Sequence, residues 1–149
     1  MLKVLFVCHG NICRSPMAEF IFKKLVKEEG LEQEFLIASR ATSTEEIGNP
    51  IYYLAEEKLK EHGIVSEGKY AQKLEIKDYD DYDYIIGMDS ENLYMMKKIF
   101  GKTEKIYKLL DFTDNKKDIE DPWYTRDFET TYQEIVKGCR GFLEYVNKK

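Results

Sequence analysis

Four short apolar segments alternate along the chain with stretches whose apolar side chains recur every three or four residues. The apolar segments predict β-strands, and the recurring pattern predicts helices. The predicted strands are Leu2–Cys8, Phe35–Ser39, Tyr84–Met88 and Lys105–Leu110. Because strands that alternate with helices pair in parallel, the pattern predicts a three-layer α/β/α protein, with a parallel sheet between flanking helices. No repeat, linker or low-complexity stretch interrupts the chain, so we expect one domain over residues 1–149.

Cap signals predict where the helices begin. Ser15 precedes Pro16, so we expect Ser15 to cap a first helix that ends near Gly30. Asn49-Pro50 repeats this signal and predicts a second helix that ends at His62-Gly63. A third helix is predicted over Ser90–Phe100, and the last one carries a buried stripe of Phe128, Tyr132, Ile135, Cys139, Phe142 and Val146.

Composition and charge narrow the possible partners. The chain has 23 basic and 28 acidic side chains, a formal net charge of -5 and no basic cluster, which argues against nucleic acid and anionic membranes. No apolar run reaches the length of a membrane span, and a strand that begins at Leu2 leaves no room for a signal peptide. The three cysteines are unlike a secreted disulfide framework, so we expect a cytoplasmic protein.

The segment between the first strand and the first helix carries the strongest chemical signal. The strand ends at Cys8, a turn containing Gly10 follows, and Arg14 stands just before the predicted helix start. Such an arrangement collects main-chain N–H groups at a helix N-terminus, which is a natural site for a phosphate dianion. A thiolate at the floor of this loop and a guanidinium at its rim indicate phosphoryl transfer to sulfur.

Cys8 and Arg14 are the predicted nucleophile and phosphate ligand. The N–H groups, the helix N-terminus and Arg14 all favour the thiolate form of Cys8. The planar guanidinium of Arg14 matches two equatorial phosphoryl oxygens, most closely in the transition state. The alternatives are a small core cysteine and a surface arginine, although a positive charge at a helix N-terminus opposes the helix dipole.

Other residues of the loop have predicted supporting roles. Gly10 and Asn11 tolerate the left-handed backbone conformation that a tight loop can require. Ser15 either caps the helix alone or also donates a hydrogen bond to the Cys8 sulfur. His9 is expected to line the mouth of the pocket.

Phosphoryl transfer also needs an acid for the leaving oxygen, and Asp121 is the best candidate. Pro122 stiffens the segment and favours an extended or turn geometry at Asp121. Trp123 and Tyr124 add flat aromatic surface on which an aromatic substrate could stack. By itself, an Asp-Pro pair is more typical of a charged loop that enters a helix. Its combination with the cysteine loop favours the catalytic role.

With these residues, the chain resembles the low-molecular-weight protein tyrosine phosphatases over nearly its full length. The matching motifs are Val7-Cys8-x-Gly10-Asn11-Ile12-Cys13-Arg14-Ser15-Pro16-Met17-Ala18-Glu19, His62-Gly63-Ile64, Met88-Asp89-x-x-Asn92-Leu93 and Asp121-Pro122-Trp123-Tyr124. A cysteine and an arginine separated by five residues are only moderately specific. The flanking residues and the distant Asp-Pro make the combination specific to this family.

The resemblance implies a four-stranded parallel sheet and a two-step hydrolysis without metal or cofactor. Cys8 would attack phosphorus while Asp121 protonates the leaving phenol, and Asp121 would then activate the water that releases inorganic phosphate. The substrates would be phosphotyrosine-containing proteins or peptides and small aryl phosphates, and the protein would be a monomer or weak dimer. The implied substrate-binding residues are His9, Gly10, Asn11, Ile12, Cys13, Ser15, Trp123 and Tyr124.

The resemblance also implies roles behind the loop. Asn11, Ser15 and Ser39 match positions whose hydrogen bonds hold the loop in shape. Cys13 matches a second loop cysteine that can form a reversible disulfide with Cys8. Alternatively, Cys13 is a passive loop residue.

Two positions depart from the family pattern. Glu45-Glu46 stands where relatives commonly carry an aromatic or apolar residue followed by asparagine. This acidic pair either favours substrates with basic flanks or is ordinary surface solvation. Lys69 falls where bacterial relatives often have a histidine that supports the loop. The sequence alone does not indicate which residue supports the loop in this chain.

Three other functions compete with this interpretation. An arsenate reductase on the same fold would need two further cysteines, and residues 70–100 contain none. Protein arginine phosphatases tend to have threonine at the position of Ile12 and lack the aromatic pair after Asp-Pro. A catalytically inactive phosphopeptide-binding module would have little need for Cys8, Arg14 and Asp121 together. Two histidines and no second cysteine pair disfavour a zinc site.

Overall fold

The first strand, β1, lies inside a four-stranded sheet and has a neighbour on each side. The computed structural model describes all residues from 1 to 149. The strands are β1 (Leu2–Cys8), β2 (Phe35–Ala41), β3 (Tyr84–Gly87) and β4 (Ile106–Lys108). Their order in the sheet is β2-β1-β3-β4, and every neighbouring pair is parallel. The predicted α/β class with a four-stranded parallel sheet is confirmed.

Six helices and two short 3₁₀ turns connect the strands and cover the sheet. The helices are α1 (Arg14–Glu28), α2 (Tyr53–Glu61), α3 (Asp78–Asp81), α4 (Ser90–Phe100), α5 (Pro122–Thr125) and α6 (Phe128–Asn147). The 3₁₀ turns are Glu32–Glu34 and Leu109–Phe112. None of the helices combines the length and the apolar character needed to cross a bilayer.

Alternate side chains of β1 belong to two separate cores. Val4 and Phe6 lie in the larger core, which includes the buried faces of α1 and α6. Leu5 and Val7 lie in the smaller core with Met96 of α4. All four β1 side chains are fully buried, because a central parallel strand is covered on both faces. The three-layer arrangement follows from this alternation.

The first helix begins earlier than the cap signal predicts. α1 starts at Arg14, and its N-cap residue is Cys13, which makes no side-chain cap hydrogen bond. The prediction that Ser15 caps the helix is therefore wrong. The Ser15 hydroxyl instead turns toward the preceding loop, where it accepts a hydrogen bond from Asn11 Nδ2 at 2.7 Å.

The second helix begins later than predicted. α2 starts at Tyr53, whereas Asn49-Pro50 predicts a start three residues earlier. The Asn49 carbonyl accepts a hydrogen bond from the Ala71 N–H at 2.8 Å, and Pro50 forms an isolated antiparallel bridge with Tyr70. This pairing with a distant segment keeps the chain extended, so the proline does not begin a helix.

The last strand is shorter than predicted because the chain turns under α6. β4 ends at Lys108, and the predicted end at Leu110 lies within the 3₁₀ turn Leu109–Phe112. This turn packs so closely on α6 that a Cβ atom at Gly141 would lie 2.2 Å from the Phe112 carbonyl oxygen. Only glycine fits the helix at this contact.

The strand order creates a switch point at the carboxyl end of β1. The chain leaves β1 toward β2 on one side, and β3 then pairs with β1 on the other side. In open parallel sheets, ligands bind in the crevice that opens where the order reverses in this way. Cys8 is the last residue of β1, so the fold places it at this crevice.

Candidate active site

The loop that follows β1 and contacts the Cys8 sulfur has main-chain N–H groups without partners in the protein. None of the N–H groups of residues 9–13 donates to an acceptor within the protein. The Ser15 N–H donates to Cys8 Sγ at 3.3 Å, and Ser15 Oγ lies 3.0 Å from the same sulfur. A concave array of amides at a helix N-terminus binds anions, and it also favours a thiolate. The geometry suits the binding of an anion next to the Cys8 sulfur.

Asn11 holds this loop in shape from inside the protein. Its backbone is in the left-handed region, with φ of 58°. Its Nδ2 donates to Ser15 Oγ at 2.7 Å and to Ser39 Oγ at 3.0 Å, and its Oδ1 accepts from the Gln72 N–H at 3.1 Å. Lys69, the second departure from the family pattern, donates to the Ser39 carbonyl at 3.0 Å. The loop is therefore supported by two separate segments of chain.

Arg14 is buried and held by contacts that the sequence did not reveal. Its Nη1 donates to Asp89 Oδ2 at 2.7 Å and to the Ile119 carbonyl at 2.8 Å. Its Nη2 lies 3.5 Å from Asp121 Oδ2. Burial lowers the pKa of the guanidinium, but the charges of Cys8 and Asp89 outweigh burial and raise the pKa above its ordinary value. Arg14 is thus a fixed positive charge beside the sulfur.

Asp121 lies at the start of α5 and faces Arg14. Its Oδ1 accepts the Trp123 N–H at 3.0 Å, which makes it the N-cap of this short helix. Its Oδ2 is the oxygen nearest to Arg14. Two residues earlier, the Ile119 N–H donates to the Met88 carbonyl at 2.9 Å. The acid candidate is therefore held in the same cluster as the predicted nucleophile and phosphate ligand.

Aromatic side chains form one wall of the site. The Trp123 ring packs edge-on against Tyr52 with 4.8 Å between centroids, and Trp123 remains 42% exposed. Arg126 ends α5, donates to the Tyr52 hydroxyl at 2.8 Å and lies over the Tyr52 ring. Tyr124 is almost fully exposed. The sequence did not indicate Tyr52 or Arg126 as site residues. Neither of them lines the pocket, and both contribute to the site only by holding Trp123 in place.

The site is a pocket of about 110 Å³ with an acidic rim. It is lined by Cys8, His9, Gly10, Ile12, Cys13, Arg14, Glu45, Glu46, Asp121, Trp123 and Tyr124. Nine of these are among the predicted site residues, whereas the predicted Asn11 and Ser15 have side chains turned inward behind the loop. Glu45 Oε2 lies 2.8 Å from His9 Nε2 at the mouth.

The second loop cysteine is buried and free. Cys13 lines the pocket, and no disulfide is formed by any of the three cysteines. Burial and then the negative charges of Cys8 and Asp121 raise the pKa of the Cys13 thiol well above its ordinary value. Cys13 is therefore a protonated thiol that lines the same pocket as Cys8.

The pocket contains loop amides and an arginine that can bind an anion, a thiol and a carboxyl group, but it contains no set of metal ligands. No three His, Cys, Asp or Glu side chains come close enough together to bind a metal ion anywhere in the protein. Amides and a guanidinium can instead stabilise the charge that develops on a phosphoryl group. The arrangement suits attack by sulfur at phosphorus.

A family model, two related sequences and a solved structure all show similarity to the same group of proteins. A family model described as low molecular weight phosphotyrosine protein phosphatase matches residues 3–149. The chain is 41% identical over 153 residues to the low molecular weight protein-tyrosine-phosphatase YfkJ of Bacillus subtilis, covering 100% of the chain and 98% of that protein. It is 44% identical over 148 residues to the low molecular weight phosphotyrosine protein phosphatase of Gallus gallus, covering 95% and 93%. The crystal structure of YfkJ superposes with a TM-score of 0.97 over 99% of the chain and 96% of that structure.

Proposed function

The chain belongs to the family of low molecular weight phosphotyrosine protein phosphatases, and on that premise we propose that it hydrolyses phosphotyrosine through a phosphocysteine on Cys8. The protein is a hydrolase of the protein-tyrosine phosphatase class. The observation that carries the proposal is the position of the Cys8 sulfur. It lies at the floor of a pocket, beside unpaired amides, a buried arginine and a carboxyl group.

The first step transfers the phosphoryl group to sulfur. The Cys8 thiolate forms a bond to phosphorus while the bond from phosphorus to the phenolic oxygen breaks. The loop amides and Arg14 hold the three non-bridging oxygens, and their contacts are strongest when phosphorus is trigonal bipyramidal. Asp121 gives its proton to the leaving oxygen, so the product is a neutral phenol. Asp121 Oδ2 lies 3.5 Å from Arg14 Nη2, and both residues line the pocket, which suits this role.

The second step releases inorganic phosphate. Asp121, now a carboxylate, takes a proton from a water molecule as the water oxygen bonds to phosphorus. The bond from phosphorus to sulfur breaks, and the electron pair returns to Cys8 as a thiolate. The Ser15 N–H and hydroxyl lie 3.3 and 3.0 Å from this sulfur and stabilise it as a leaving group.

The pocket walls favour a phenyl ring over a flexible chain. Ile12 and Trp123 both line the pocket, and Trp123 is fixed by its contact with Tyr52. A flat ring between an aliphatic side chain and an indole gains buried apolar area without losing rotamer freedom. We therefore expect phosphotyrosine to be hydrolysed well ahead of phosphoarginine, measured as kcat/KM on matched peptides. A faster reaction with phosphoarginine would overturn the assignment of the substrate class.

Trapping of the intermediate tests the mechanism directly. Acid quench of the wild-type enzyme during turnover of an aryl phosphate should capture phosphate bound to Cys8, and mass spectrometry identifies the site. Asp121→Asn should lower kcat/KM, which reports the first step, by about 100-fold or more for a phenol that leaves poorly, and much less for one that leaves easily. Cys8→Ser is the inactive control. Turnover without any trapped phosphocysteine would refute the mechanism.

The remaining expectations belong to the same proposal. The reaction as written uses no metal or organic cofactor, so activity should withstand EDTA. A reduced Cys8 suits a cytoplasmic setting with phosphotyrosine proteins as substrates. A monomer or weak dimer is expected, which sedimentation of the active enzyme would measure.

A further inference from the structure

The segment that leads to the acid candidate has no regular structure of its own. Residues 113–120 lie between the 3₁₀ turn Leu109–Phe112 and α5, and they form neither helix nor strand. The helix that follows them is only four residues long, so it cannot fix the direction of this segment. The position of Asp121 must therefore depend on contacts between the segment and the rest of the protein.

One carboxylate oxygen of Asp118 collects three hydrogen bonds in this segment. Asp118 Oδ1 accepts from the Ser90 N–H at 3.1 Å, from Ser90 Oγ at 3.0 Å and from Lys108 Nζ at 3.0 Å. Ser90 is the first residue of α4, and Lys108 is the last residue of β4. A carboxylate at a helix N-terminus pairs an N–H group that has no partner within the helix, and it interacts favourably with the helix dipole. Asp118 thus connects the segment to two elements of the fold.

Asp118 and Lys108 form an ion pair that is only partly open to solvent. The side chain of Lys108 is 16% exposed and that of Asp118 is 43% exposed. Partial burial raises the pKa of Asp118, but the hydrogen bonds from Lys108 and Ser90 outweigh burial and lower the pKa below its ordinary value. Asp118 is therefore a carboxylate at neutral pH. An ion pair with one exposed partner adds little to stability, so its removal should leave the protein folded.

The residues next to this contact belong to the active site. Ile119 follows Asp118; its N–H donates to the Met88 carbonyl at 2.9 Å, and its carbonyl accepts from Arg14 Nη1 at 2.8 Å. Asp89, which precedes the first residue of α4, accepts from the same arginine nitrogen at 2.7 Å. Ile119 fixes one point of the segment. Asp118 fixes the direction in which the chain passes through that point.

We propose that Asp118 and Lys108 are positioning residues that hold Asp121 where it can protonate the leaving oxygen. Asp121 follows three residues after Asp118, and its Oδ2 lies 3.5 Å from Arg14 Nη2. Proton transfer requires the acid within hydrogen-bond distance of the leaving oxygen, and a displacement of about 1 Å can lower a rate about 100-fold. The inference rests on the proposed function, in which Asp121 is the acid.

The contact with Ser90 offers a second route to the site, through Asp89 and Arg14, and the two routes have different effects. A displaced Arg14 would bind the phosphoryl oxygens less well, so all esters should react more slowly by the same factor. A displaced Asp121 would protonate less well, so only esters whose phenol leaves poorly should be affected. Comparison of two esters therefore separates the two routes.

Replacement of Asp118 by alanine removes all three hydrogen bonds and tests the proposal. The kcat/KM is measured for phenyl phosphate, whose phenol leaves poorly, and for p-nitrophenyl phosphate, whose phenol leaves easily. Asp118→Ala should lower kcat/KM about tenfold for phenyl phosphate and less than about twofold for p-nitrophenyl phosphate. The inhibition constant of inorganic phosphate should change by less than about twofold, because Arg14 and the loop amides still bind phosphate.

Variants of Lys108 test the same contact from its other side. Lys108→Met removes the ammonium group but leaves the other two hydrogen bonds of Asp118, so kcat/KM for phenyl phosphate alone should fall about threefold. Lys108→Arg keeps the charge and a donor and should match the wild type. Lys58→Met is the matched control, because Lys58 is also 16% exposed and pairs with two carboxylates outside the acid segment, Glu61 and Glu129. It should leave the ratio of the two kcat/KM values unchanged.

A double variant shows whether Asp118 acts through Asp121. Asp121→Asn has no proton to give, so the addition of Asp118→Ala should lower kcat/KM for phenyl phosphate by less than a further factor of about two. A further loss of about tenfold would mean that Asp118 acts independently of the acid, and it would overturn the proposal.

The same measurements separate this proposal from the proposed function. A folded Asp118→Ala protein with the wild-type ratio of kcat/KM values, or with equal losses on both esters, would overturn the proposal. If Asp118→Ala does not fold, the same two outcomes apply to Lys108→Met. A selective loss in Asp121→Asn without one in Asp118→Ala would refute the positioning role alone. No selective loss in either variant would refute the acid role of Asp121 as well.

Discussion

The contact between Arg14 and Asp89 predicts a large effect for a small substitution. Asp89→Asn keeps the shape of the side chain but leaves one acceptor where Asp89 uses two, one for Arg14 Nη1 at 2.7 Å and one for the Asn92 N–H at 2.8 Å. A lost hydrogen bond to a charged group is worth about 1.5–3 kcal/mol. Arg14 would retain the Ile119 carbonyl and move toward Asp121, so kcat/KM should fall about 10- to 100-fold.

The stability of the same variant gives a second measurement. A loss of about 2 kcal/mol in a chain of this size lowers the melting temperature by about 4–8 °C. Asp127→Asn is the control, because Asp127 caps α6 through the Thr130 N–H at 2.9 Å and has no arginine partner. Asparagine is about as good a cap as aspartate, so this control should change stability by less than about 1 kcal/mol. If the kcat/KM of Asp89→Asn for an aryl phosphate equalled or exceeded that of the wild type, Asp89 would not align Arg14.

Three further predictions concern packing, specificity and oxidation. Gly141→Ala should lower the free energy of unfolding by about 2 kcal/mol or more in urea denaturation, because its Cβ would clash with the Phe112 carbonyl; unchanged stability would show that α6 can shift. Glu45→Lys should reverse a preference for phosphotyrosine peptides with basic flanks over those with acidic flanks, measured as the ratio of their kcat/KM values. Equal ratios in the wild type and the variant would show that the acidic rim does not determine specificity. After peroxide treatment, mass spectrometry should find Cys8 joined to Cys13. The raised pKa of Cys13 leaves only a small thiolate fraction at both pH 6 and pH 9, and because this fraction rises with pH, more disulfide is expected at pH 9. Sulfinic Cys8 without disulfide at both values would contradict this.

The sequence predicts the strands of this fold better than the starts of its helices. Leu2–Cys8 is recognisable because a parallel strand buried on both faces is nearly continuous in apolar residues. The start of α2 cannot be recognised in the sequence, because the bridge to Tyr70, twenty residues further along the chain, holds Pro50 in an extended conformation. The early end of β4 depends on how Leu109–Phe112 packs against α6, which no local pattern expresses.

The same distinction applies to the site. Cys8 and Arg14 belong to one short motif, and the sequence predicts their chemistry from this motif together with its flanking residues and the distant Asp121-Pro122. The partners of Arg14 cannot be deduced in this way, because Asp89 and Ile119 lie 75 and 105 residues away in the sequence. The Lys69 contact with Ser39 is hidden for the same reason, since thirty residues separate the two. Local sequence identifies the reacting groups, and only the fold reveals what orients them.

The anchoring of Ile119 has a consequence for how the enzyme spends its time during turnover. Both polar groups of this peptide residue are engaged, the N–H with Met88 and the carbonyl with Arg14, and Asp121 follows after a single intervening residue. Because only one residue separates Asp121 from these two hydrogen bonds, its carboxyl group cannot move far between the solvent and the pocket. For the proposed role of Asp121 as proton donor, this means that the side chain is ordered when the chain folds and is already in place when each catalytic cycle begins.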